Sequence, residues 1–163
     1  QESIDYLIRQ NVTQIGFVGE ALTTRRQRCF QGILTQKALP INEHHIQIAE
    51  QRFEPGGYEA MEQILKADPL PRAVICAYDN MAIGAIRCIH DHGLRVPEDI
   101  AVLGIDNIPQ AAYLTPPLAS IDSNIDTLCR LAVDTIIAQI NGKEVPLMQS
   151  IPSALLIRES FQI

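Results

Sequence analysis

The stretch VLGIDNIPQ (Val102 to Gln110) is an apolar run that stops at a carboxylate and an amide, Asp106 and Asn107, with a proline close behind. A carboxylate at the end of a buried strand has two uses. It can accept hydrogen bonds from a ligand at the strand tip, or it can cap a short turn near Pro109. The residues alone leave both open. Tyr78 and Asp79 close another apolar run, and Asp79 stands where it would cap a helix beginning at Met81. Arg25, Arg26 and Arg28 open a helix, where each cation opposes the macrodipole by roughly 0.3 to 1 kcal/mol. A local rule broken near a strand tip marks Arg26 as a site candidate, against the plainer reading of solvated arginines. Phe53 lies in the polar connection QRFEPGGYEA, where a ring either packs or offers a face to a sugar or planar ligand.

Other chemistry has less to stand on. His90 and His92 are two residues apart on a helix and do not share a face, so no metal is expected there. No phosphate loop, G-x-S-x-G, H-E-x-x-H or G-x-G-x-x-G occurs, and no nucleophile stands near a base; neither an enzyme nor a cofactor is expected. The four cysteines form no C-x-x-C pair and sit among apolar neighbours, which reads as reduced, buried thiols of a cytoplasmic protein. With a net charge of −6 and scattered Lys and Arg, this segment has no surface for neutralising phosphates, so DNA binding by it alone is not expected. No apolar run approaches the ~18 residues of a membrane span. Gln1 in place of Met implies that residues precede it.

These candidates need elements to position them, and the periodicity supplies a helix and strand alternation. Helices are expected over 3–10, 25–37, 57–67 and 80–93, and strands over 13–19, 45–50, 72–78 and 99–105. Thr24 and Gln27 are spaced as a capping box for the second helix. The regularity breaks at 106–124, read as a loop, a short helical turn and a crossing strand. Ser123 and Asp126 then start a long helix to about Ile140, and 153–160 returns as a strand. Strands separated by such helices predict an α/β three-layer sandwich around a mostly parallel sheet. At 163 residues the chain has enough for one core and too little for two.

The segment AYDNMAIGAIRCIHDHGLRVPEDIAVLGIDNIPQAAYLTPPLASI (Ala77 to Ile121), with IGFVG, RQRCF, FEPGGYEAM and SALLIRES around it, resembles the LacI/GalR family of transcriptional regulators. The resemblance covers essentially the whole chain. It implies a periplasmic-binding-protein-like type I fold, truncated to mainly the C-terminal subdomain (1–122 and 152–160), with 123–142 belonging to an N-terminal subdomain absent here. Arg26, Phe53 and Asp106 match the family's effector-contacting positions, with Cys29 where the family pattern has glycine, and Tyr78 falls at a further, variable contact position. The implied function is sensing and dimerisation within a repressor that answers to a sugar-like small molecule and reaches operator DNA through a separate N-terminal domain. A periplasmic-type sugar-binding protein is the alternative. The helix after Asn124 carries an apolar stripe (Ile125, Leu128, Ala132, Ile136, Ile140) expected to be buried against another copy or folded back.

Overall fold

A computed structural model describes residues 1–163. In chain order it comprises α1 (Glu2–Arg9), β1 (Ile15–Glu20), α2 (Thr24–Gln36), β2 (Ile46–Ala49), α3 (Phe53–Ile64), β3 (Ala73–Cys76) and α4 (Asp79–Asp91). β4 (Ala101–Ile105), β5 (Ala119–Asp122), α5 (Ile125–Ile140) and β6 (Ala154–Leu156) complete it. The strands form one six-stranded sheet in the order β2-β1-β3-β4-β5-β6. Five are parallel and β6 runs antiparallel to β5, so the expected mostly parallel sheet is present. Every residue of β1 and of β3 is buried, which is why both read as continuous apolar runs rather than alternating ones.

From β1 the chain steps outward to β2 and then back across to β3. Right-handed crossovers therefore put α2 on one face and α3 and α4 on the other. Phe17 of β1 stacks on Phe30 of α2, ring centroids 5.4 Å apart. The reversal makes a crevice between the carboxyl ends of β1 and β3, the position where open α/β sheets take ligands.

The third helix begins four residues earlier than the periodicity predicts. The pair Gly56 and Gly57 looks like a helix break, but both glycines lie inside α3 because the backbone runs there against its neighbours. A Cβ on Gly57 would sit 2.0 Å from the Met81 carbonyl oxygen, and one on Gly84 of α4 only 1.9 Å from that of Glu54. α3 and α4 thus meet backbone to backbone, with no side-chain layer between them at these points.

Smaller corrections follow the same logic of distant partners overriding local pattern. The helix α2 has Thr23 at its cap position and no side-chain cap, so the Thr24 and Gln27 box does not form. The last strand shrinks to Ala154–Leu156, because only β5 is beside it. Cys76 and Cys88 are buried as expected, whereas Cys29 and Cys129 are exposed. Burial pushes the Cys88 thiol up to about 11. No residue of α5 is buried, and the helix is not folded back onto the sheet. No helix is long and apolar enough to cross a membrane.

Candidate functional site

The crevice at the strand tips is a cleft of ≈ 490 Å³, and all four predicted positions border it: Arg26, Phe53, Tyr78 and Asp106. The first turn of α2 aims Arg26 across the carboxyl ends. Its Nη1 donates to the Ala77 carbonyl beyond β3, and its Nη2 lies 3.6 Å from Asp106 Oδ1. With 42% and 26% of these side chains exposed, the pair is half in water, so it orients the groups more than it stabilises the fold.

Asp106 follows β4 with φ 103°, and Asn107 has φ 52°; both are left-handed positions, which Asp and Asn adopt more readily than other non-glycine residues. The turn aims the Asp106 carboxylate at Arg26 and at Ser123, whose hydroxyl donates to Oδ1 at 3.0 Å. Asp106 caps no helical turn, since the one at Pro109–Tyr113 has no side-chain cap. The spacing of Ser123 and Asp126 predicts the helix start at Ser123, yet Asn124 holds the cap position of α5, without a side-chain bond.

Phe53 opens α3 with φ 58° and remains 47% exposed over the cleft. Arg52 lies over one face of its ring, 4.7 Å from the centroid, and Tyr78 meets it edge-on at 5.9 Å. Tyr78 itself is buried. Its hydroxyl accepts the Phe53 amide hydrogen at 3.0 Å, so the oxygen is already engaged.

Asp79 does not cap α4. It is the first helical residue, wholly buried, and its carboxylate reaches sideways: Oδ1 accepts the Ser120 hydroxyl at 2.6 Å and Oδ2 the Ile108 amide at 2.8 Å. Burial raises its pKa and the nearby Asp106 charge adds to this, while those two hydrogen bonds and Arg158 oppose. Gly104 makes the room, since a Cβ there would fall 2.0 Å from Asp79 Oδ1.

Glu20, Arg52 and Asn80 also border the cleft without a sequence reading that marks them, as does Arg25, one of the three arginines that open α2. Glu20 is the last residue of β1 and is buried. Its Oε2 accepts the Leu22 amide at 2.8 Å, and Oε1 lies 3.8 Å from Arg52 Nε. The signal was available: a carboxylate directly after the apolar run of β1, beside the crevice. Chemically, the cleft offers carboxylate acceptors, guanidinium donors and one exposed ring, a set suited to a small ligand with several hydroxyls and an apolar face.

A family model described as a periplasmic-binding-protein-like domain matches residues 4–161. The chain belongs to that family. This periplasmic-binding-protein-like domain is 40% identical over 143 residues to the HTH-type transcriptional repressor PurR of Pasteurella multocida, covering 85% of this chain and 42% of that protein. It is 32% identical over 148 residues to the probable HTH-type transcriptional repressor ExuR of Bacillus subtilis, covering 88% and 44%. Among solved structures, it superposes on the lac repressor dimer bound to operator and the anti-inducer ONPF with a TM-score of 0.87 and 26% identity, covering 98% of this chain and 56% of that one. The transcriptional regulator CelR in complex with cellobiose matches at 0.85 and 25%, covering 95% and 49%. The resemblance to the LacI/GalR family and the periplasmic-binding-protein-like type I fold are borne out. These relatives are transcriptional regulators, not enzymes, and the chain spans less than half the length of the two curated ones.

Proposed function

We propose that this domain is the effector-sensing part of a cytoplasmic transcriptional repressor, and that its effector is a sugar or sugar phosphate held in the strand-tip cleft. The observation that carries the reading is the convergence of Arg26, Phe53 and Asp106 on one crevice from three separate elements, in a chain whose relatives are HTH-type repressors. Asp106 accepts effector hydroxyl hydrogens, Arg26 donates to an effector oxygen, Phe53 covers an apolar sugar face, and the Tyr78 ring walls the same side. The alternative of a periplasmic-type sugar-binding protein has no support from those relatives.

In the same reading, residues 1–122 and 152–160 form one subdomain, and 123–142 reaches toward a second that would close the cleft. Operator DNA would be contacted by a separate N-terminal domain, and a homodimer would carry two such heads whose spacing responds to cleft closure. The test is a thermal-shift screen of the intact protein against neutral sugars, sugar acids and sugar phosphates, with nucleobases as planar non-sugars. A ligand at a hundred times its Kd adds about 2.7 kcal/mol of stability. A clear upward shift with one sugar class, lost in Asp106→Asn, is expected. A shift with nucleobases alone would overturn the sugar reading, and silence across the panel would overturn both.

A further inference from the structure

Three residues at the cleft occupy left-handed backbone conformations, Phe53, Asp106 and Asn107, and none is a glycine. For Phe53 that conformation costs energy that neighbouring groups must offset, whereas Asp and Asn adopt it more readily and need partners mainly to fix where they point. The groups that do so come from one place. Tyr78 supplies the acceptor for the Phe53 amide on one side. Asp79, the next residue, supplies the acceptor for the Ile108 amide and for the Ser120 hydroxyl on the other, and Ser120 Oγ in turn accepts the Asn107 amide at 3.0 Å. Arg158 completes that side by donating to Asn107 Oδ1 at 2.8 Å.

We propose that Tyr78 and Asp79, adjacent where the chain passes from β3 into α4, are positioning residues that lock the two left-handed backbone sites from which Phe53 and Asp106 face the cleft. This rests on the effector-site reading above. The division of labour follows from geometry. The Tyr78 side chain reaches the start of α3 and the Asp79 side chain the loop after β4, so one dipeptide serves two segments more than fifty residues apart in sequence. The Tyr78 hydroxyl oxygen accepts inward, from backbone, and both oxygens of the wholly buried Asp79 carboxylate are bonded within the fold, so these acceptors serve the loops. Gly104 belongs to the device as well, because any side chain there would displace the Asp79 carboxylate.

Amide hydrogen exchange and Cα chemical shifts, recorded on this chain without any ligand, test the lock. In Tyr78→Phe, the Phe53 amide is expected to exchange about tenfold faster and its Cα shift to leave the left-handed range, with Asn107 and Ile108 unaltered. In Asp79→Ala the pattern reverses: Ile108 and Asn107 quicken and the Asp106 Cα shift moves, while Phe53 is unaltered. Ser120→Ala keeps the Ile108 acceptor and should quicken Asn107 alone, which preserves the test if Asp79→Ala does not fold. Equal acceleration of all core amides, Val102 included, would mean that the substitutions merely weaken the fold, and unchanged exchange at Phe53 and Ile108 would mean that the bonds lock nothing; either result overturns the proposal. The measurement needs no sugar, so its failure is separable from failure of the ligand screen.

Discussion

The body of the domain and its α5 arm have similar apolar side chains and opposite fates. Leu103, Ile89 and Phe17 in the body are fully or nearly fully enclosed, whereas Leu128, Val133, Ile136 and Ile137 on the arm are all exposed. What differs is the neighbour. A parallel sheet with helices on both faces surrounds its residues by its own topology, while an isolated helix has no surface to press against. The contrast teaches that apolar pattern identifies a face to be buried without identifying what buries it.

The strongest way to sharpen that contrast is by truncation. Leu103→Ala in the body is expected to cost about 2 to 5 kcal/mol in urea unfolding. Ile136→Ala on the arm should change stability by less than about 0.5 kcal/mol. An arm variant that costs more than the body variant would show the helix enclosed in solution by a second copy, an outcome that light scattering would register as a mass above 18.1 kDa.

The cleft lies between these extremes, half open to water. Asp106→Asn should weaken effector binding by about ten- to hundredfold, the worth of a charge-assisted hydrogen bond, as read by calorimetry. Asparagine tolerates the left-handed backbone there, so stability should hardly move. A twofold effect or less would reduce Asp106 to a partner for Arg26. Phe53→Ala should lose about 1 to 2 kcal/mol of effector binding through the missing ring, with little loss of stability because the ring is exposed. A large fall in Tm without a binding defect would assign Phe53 to the body instead.

The smallest effect concerns pH. Burial, reinforced by Asp106, holds the Asp79 pKa above its ordinary 3.8, with Ser120, Ile108 and Arg158 pulling the other way. A carboxyl raised on folding contributes stability that is present below its unfolded pKa and lost as pH rises through the folded one. The Ile108 amide shift should therefore titrate with a midpoint above 3.8, and Asp79→Asn should abolish that titration. A midpoint at or below the ordinary value would mean that the hydrogen bonds outweigh burial.

The sequence announced what depends on near neighbours. Continuous apolar runs marked β1, β3 and β4 as buried strands, and arginines at the wrong end of a helix marked Arg26. Misreadings arose where the deciding partner is remote. Asp79 fits the local rule for a helix cap, but its bonds go to residues 29 and 41 positions away. The start of α3 is read four residues late because the glycine pair resembles a helix break; the approach of Met81 in α4 explains Gly57, and that of the Gln51 carbonyl explains Gly56. Glu20 and Arg52 become cleft residues through the strand order, which places β1 at the reversal.

The glycine contacts at Gly57 and Gly84 have a mechanical meaning. Between most packed helices, side chains fill the gap and hold the axes about 8 to 10 Å apart. At these two points α3 and α4 have no side-chain layer between them, so the pair forms a plate two backbones thick. Phe53 starts one helix of the plate and Asp79 starts the other. The ring at the cleft and the buried carboxylate behind it thus begin two helices whose spacing is set by backbone alone, so a larger residue at Gly57 or Gly84 would part Phe53 from the Tyr78 and Asp79 end of α4.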